Sequence, residues 1–217
     1  MSKFIEWESE KNLRKNVDDS REKYDSIEME FVDCLDYVEL DLDHFSVYSK
    51  KFNDIILKIG PEILTVFELI LFNKKISRLF NDQPDLEEQI VTIQKKKNKG
   101  KEGFCDYLNV LPYLKTENVL IKNLNEKITP FRIQKTWLTK KQKHWYWVDW
   151  WKYGYNALKH RSHKDFKEAA TLKHALFSLA GLYILHERLD RDHGRKGLFK
   201  SQVFKITMVS TLPKSRD

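Results

Sequence analysis

From His44 to about Phe80, apolar residues recur in steps of three and four: Phe45, Tyr48, Phe52, Ile55, Ile56, Ile59, Ile63, Val66, Phe67, Ile70 and Leu71. That spacing puts them on one face of a helix and predicts a core element. Asp41 or Asp43 precedes it and offers a carboxylate to its free N–H groups. Gly60-Pro61 falls inside the run, and a proline that removes an amide donor and crowds the preceding turn predicts a kink or break there. Residues 2–30 carry a thinner stripe (Phe4, Ile5, Trp7, Leu13, Val17, Tyr24, Ile27) among many charges, the pattern of a surface helix leaning on a bundle. Tyr37 to Leu40 reads as extended and Asn81 to Pro84 as a turn. Leu86 to Gln94 reads as a short amphipathic helix running into a solvated lysine loop, Lys95 to Lys101.

In the second half, Trp147, Trp150, Trp151, Tyr155 and Leu158 share one helical stripe. A long helix follows from about Phe166, with Ser162 and Asp165 ahead of it as capping acceptors. Its body (Ala169, Leu172, Leu176, Leu179, Ala180, Tyr183, Ile184) is apolar nearly all round and predicts burial on most sides. Residues 95–146 lack a clear period and are taken as an irregular insertion, with strand-like Val119-Leu120-Ile121 and Phe131-Arg132-Ile133 around a turn at Asn123 to Asn125. Val203 to Val209 predicts a terminal strand or extended arm. The expected fold class is all-α, one helical-bundle domain over 1–217. It has an N-terminal helical edge (1–40), the insertion (95–146), a motif and core helix (147–190) and a C-terminal arm (198–217).

Composition sharpens this in two ways. With 7 Gly and 5 Pro in 217 residues, a turn-dense β-sandwich is disfavoured. A formal charge of +7 makes an anionic partner such as RNA plausible beside the plain alternative of a basic solvated surface. Two cysteines, Cys34 and Cys105, give neither metal spacing nor a disulfide framework, and the expected compartment is the cytoplasm. The longest uncharged apolar run, Ala175 to Leu185, is too short for a membrane span. No HExxH, Walker loop, GxGxxG or Gly-x-Ser-x-Gly occurs, and His160, His163 and Asp165 are too few for a metal, so no cofactor is expected.

Candidate chemistry concentrates at Lys152, Asn156 and His160, spaced by four and therefore on one face, with Lys159 and Arg161 beside them. An imidazole that titrates near neutral pH can move a proton, and the cations can stabilise charge on a phosphodiester. The structural alternative is that Asn156 and His160 satisfy carbonyls at a helix end. Trp137, Trp145, Tyr146, Trp147, Trp150 and Trp151 offer rings either to stacked bases or to the core. Arg188 and His193 form a second, reserve pair.

The run YNALKHRS followed by DFKEAATLKHALFSLAGLYIL resembles the signature region of HEPN-domain proteins. That family's motif is an arginine, a polar residue and then a histidine ahead of a long core helix. Here Asn156 matches the polar position and His160 the histidine, while Tyr155 stands where the family has arginine. The resemblance implies an all-α bundle acting on RNA as a metal-independent endoribonuclease of a prokaryotic toxin or anti-phage defence system. It implies catalytic Asn156 and His160, a homodimer and an antitoxin or other protein partner; with no arginine at 155, Lys152, Lys159 and Arg161 are the cations expected to handle phosphate. The alternative is a non-catalytic HEPN-like module for interaction or dimerisation.

Overall fold

The computed structural model describes residues 9–73, 76, 84–136, 145–160, 166–192 and 200–208. It is predominantly helical, with two small antiparallel sheets beside the helices where the expected fold class was all-α. The helices that build the core are α1 (Glu10–Cys34), α2 (Lys50–Leu71) and α7 (Leu172–Asp192). Among the described residues no helix is long and apolar enough to cross a membrane.

α1 is part of the core as well as an edge: Leu13, Val17, Tyr24, Ile27 and Phe31 are all buried. Its N-terminus is capped by Ser9, whose Oγ accepts from the Asn12 N–H at 3.3 Å. α1 and α2 run antiparallel, as two ion pairs show: Lys58 with Glu30 at 2.5 Å and Lys23 with Glu62 at 2.9 Å.

α2 begins later than its apolar period suggests. Ser49 supplies the cap, accepting from the Phe52 N–H at 3.0 Å, and not Asp41 or Asp43. Asp41 instead accepts from the Asp43 N–H, and the stretch expected to be extended begins in the turn that ends α1, with Tyr37 and Val38 N–H groups both on the Cys34 carbonyl. The helix also passes through Pro61 unbroken. The residue before a proline normally leaves the α region because its Cβ meets the proline ring; Gly60 has no Cβ, which removes that contact.

α2 packs along α7 over most of its length. The expected single helix from Phe166 is interrupted: α6 (Phe166–Ala169) is separated from α7 by Ala170 and Thr171. At that break the segment before α2 takes the place of the helix's own carbonyls. Leu172 N–H donates to Val47 O at 2.8 Å, Lys173 N–H to Phe45 O at 3.2 Å, and Ser49 N–H to Ala170 O at 3.1 Å.

The insertion is more ordered than its sequence suggests. The expected helix over Leu86 to Gln94 is α3 (Pro84–Lys97), and after it the insertion contains α4 (Phe104–Val110), a 3₁₀ turn (Pro112–Thr116), β1 (Asn118–Ile121), β2 (Glu126–Ile128), β3 (Ile133–Thr136) and the start of β4 (Trp145–Val148). The hairpin around Asn123 to Asn125 is present, with Asn125 at φ 55, a left-handed position that asparagine tolerates. Its second strand is Glu126–Ile128 and not the Phe131 segment, which turns instead so that Ile133 pairs with Val148.

The C-terminal strand β5 (Phe204–Met208) adds to β1, giving the order β2-β1-β5. Val119, Ile121 and Phe204 face the core, and Phe204 stacks on Tyr183 of α7 at 5.8 Å.

The lysine run is a finished helix end, not a loose loop. Gly100 N–H bonds to Lys97 O and Lys101 N–H to Lys96 O, with Gly100 at φ 61, the two bonds of a Schellman motif.

Candidate functional site

The Trp-rich segment forms a π-helix, Trp150–Asn156, continued by one α-turn, α5 (Ala157–Lys159). The wider turn of a π-helix lets the adjacent Trp150 and Trp151 both reach the core, and short π segments often accompany functional positions. Phe104 of α4 receives both rings: Trp151 stacks on it at 4.2 Å and Trp150 meets it edge-on at 5.8 Å. Trp150 Nε1–H donates to Pro130 O at 2.8 Å, which satisfies its one polar atom inside the core.

Tyr155 and Leu158 are buried with them, while Lys152, Tyr153, Lys159 and His160 are exposed and Asn156 is half-buried. Lys152 Nζ lies 4.9 Å over the exposed Tyr153 ring and Lys159 Nζ 5.6 Å from the Tyr155 ring, both within cation–π range. His160 N–H donates to the Asn156 carbonyl at 3.1 Å, so these two residues also close the helix end. Arg161 lies outside the described residues, as do Trp137, the capping candidates Ser162 and Asp165, and His163. Trp145, Tyr146 and Trp147 fall on β4.

Tyr155 points inward. It packs on Trp151 at 4.6 Å and fills the space over Gly60. A cation is not presented from that position.

At the start of the π-helix is a charged group that the sequence did not reveal. Asp149 accepts from Lys173 Nζ at 2.9 Å and faces His174 Nε2 at 3.6 Å. His174 Nδ1–H donates to Ala169 O at 2.9 Å, which orients the ring, and a Cβ built on Gly154 would come within 3.2 Å of His174 Cγ. The hydrogen bond from His174 and then that from Lys173, opposed by burial, hold the Asp149 carboxyl down at about 2. This group fixes the π-helix to α7.

A second polar cluster is buried between α1, α7 and the lead into β5. Glu28 accepts from Tyr24 Oη at 2.9 Å, from the Ser201 hydroxyl and from the Gln202 N–H at 3.0 Å. Ser20 Oγ lies 3.4 Å from His186 Nε2, and Arg21 pairs with Asp190. Burial pushes His186 down to about 3 and raises the Tyr24 and Tyr183 phenols. One sequence signal for this cluster existed: Ser20 continues the apolar stripe Leu13, Val17, Tyr24, Ile27, a polar residue at a buried position.

Of the reserve pair, Arg188 is buried with its guanidinium 4.9 Å over the Tyr113 ring, and His193 lies outside the described residues. Among the described residues no three His, Cys, Asp or Glu side chains converge as a metal ion requires. The chain matches no family model, no characterised protein and no solved structure.

Proposed function

We propose that this chain is an RNA-directed, HEPN-like protein of a prokaryotic toxin or defence system that engages RNA through Lys152, Tyr153, Asn156, Lys159 and His160. The observation that carries the reading is the division of one short segment into two faces. Trp150, Trp151, Tyr155 and Leu158 are buried, and the opposite side exposes two lysines, a histidine and a tyrosine ring under a lysine ammonium. A ring for a base beside cations for the backbone is what a single strand of nucleic acid requires. His160 is the proton-transfer group of this reading, with Asn156 beside it and Arg161 next in the chain.

One observation favours the second reading, a non-catalytic HEPN-like module: Tyr155 is core packing, so the strip lacks the motif's guanidinium. A single experiment separates the two. Labelled RNA is incubated in EDTA with wild type, His160→Ala and Lys152→Ala/Lys159→Ala, and both anisotropy and strand length are followed. Cleavage that His160→Ala removes while binding persists supports the ribonuclease. Binding without cleavage supports the module, and RNA that neither binds nor breaks overturns the proposal.

A further inference from the structure

The segment from Met29 to Leu42 exposes large apolar side chains that none of the described residues covers: Met29 at 56%, Tyr37 at 90% and Leu42 at 49%. They are set in a strongly acidic frame. Between Tyr24 and Ser49 there are eight Asp and Glu and no Lys or Arg, in a chain whose formal charge is +7. Asp33, Asp36, Glu39 and Asp43 are exposed, and among the described residues no cation pairs with them. The frame is held in place, with Leu40 buried and His44 Nδ1 bonded to the Glu39 carbonyl at 2.9 Å.

The complementary surface lies at the other end of the same helix pair. Lys97 pairs with Glu68 near the end of α2 at 2.5 Å and lies 5.3 Å over the Phe72 ring, which ties the end of α3 there. The Schellman turn then presents Lys95, Lys99 and Lys101 outward, and among the described residues no carboxylate pairs with these three. α2 has 22 residues, so the acidic and basic ends stand about 33 Å apart.

We infer that the occupant of the Met29–Leu42 surface is a second copy of this chain, laid antiparallel along the α1–α2 pair so that each acidic end meets the partner's lysine turn. The antiparallel arrangement is what the charges select. A twofold axis across the helix pair satisfies both ends of both copies and closes the assembly, whereas a parallel pairing sets like charges together. Tyr37, Leu42 and Met29 are then covered at each end, ringed by ion pairs, as anchors are in protein interfaces. The contact lies on different elements from the Lys152 to His160 strip and does not depend on its RNA reading.

The test uses the full chain and two reversals at exposed positions, Asp36→Lys/Glu39→Lys/Asp43→Lys and Lys95→Glu/Lys99→Glu/Lys101→Glu. By sedimentation equilibrium, the wild type should have twice the monomer mass at about 0.05 M salt and fall toward the monomer near 1 M, where the Debye length is about 3 Å. Each reversed variant alone should be monomeric at both salts, with a circular dichroism melt like that of the wild type. Mixed in equal amounts, the two should recover the dimer, because every contact again joins opposite charges, although neither variant carries net negative charge. A wild type that is monomeric at low salt overturns the inference. So do reversed variants that still dimerise, or a mixture that stays monomeric.

Discussion

The Tyr155 ring occupies the place where a side chain on residue 60 would begin: a Cβ built on Gly60 comes within 2.0 Å of Tyr155 Cε2. This couples the π-helix to the middle of α2, and it explains both why α2 carries a glycine at a buried position and why Tyr155 is unavailable to the exposed strip. In an open helix Gly60→Ala would stabilise by up to about 1 kcal/mol through propensity. Here the ring is rigid and enclosed, so overpacking wins, and the substitution should destabilise by about 1–3 kcal/mol in urea denaturation. Tyr155→Ala should remove the clash, so that the double variant is more stable than the sum of the two single effects allows. Additive effects would count against the contact.

Glu28 ties the last strand to the first helix. It accepts from Tyr24, Ser201 and the Gln202 N–H in a buried setting. Glu28→Ala leaves those donors unsatisfied and should cost about 1–3 kcal/mol for the group left without a partner. Hydrogen exchange should locate the effect: amides of β5 and of β1 beside it should lose protection before those of α2.

His186 should make the fold acid-sensitive. Burial depresses its folded value to about 3, whereas the unfolded imidazole titrates near about 6.5, so below that pH the unfolded chain binds a proton that the native state refuses. The stability is fully present above about pH 6.5 and is lost as pH falls toward 3, by up to about 1.4 kcal/mol per pH unit. His186→Gln should flatten this slope between about pH 6.5 and 4. Asp149 acts lower, its contribution being lost only between about pH 4 and its folded value of about 2. A wild-type stability that is flat from pH 7 to 5 would contradict the burial argument.

If the exposed strip holds a single strand of RNA, its two lysines should appear in the salt dependence. Each phosphate contact contributes about 0.7 to the slope of log K against log salt on a single strand. Lys152→Ala and Lys159→Ala should each lower the slope by about that amount. Tyr153→Ala should weaken binding by about 1–3 kcal/mol with the slope unchanged, because stacking releases no counterions.

The helical part of the fold was legible in the sequence because it depends on local period. The apolar steps of α2 and α7 and the stripe of α1 follow from 3.6-residue spacing alone. The places that spacing could not settle were those where a distant segment supplies the deciding contact. Pro61 does not break α2, in keeping with a preceding residue that has no Cβ and leaves room for a tyrosine ninety-five positions on. The helix from Phe166 does break, because Phe45 and Val47 carbonyls take its amides. The insertion becomes sheet because β5 arrives from the far end of the chain to pair with β1.

The same division holds for the candidate chemistry. Sequence brought Lys152, Asn156, Lys159 and His160 together as candidates because they are close in the chain. Only the tertiary structure decided that Tyr155 is core, that Asp149 is charged against Lys173 and His174, and that the acidic and basic stretches stand at opposite ends of one helix pair. Each of these depends on residues far apart in sequence meeting at one point, and no periodicity within a single segment encodes that meeting.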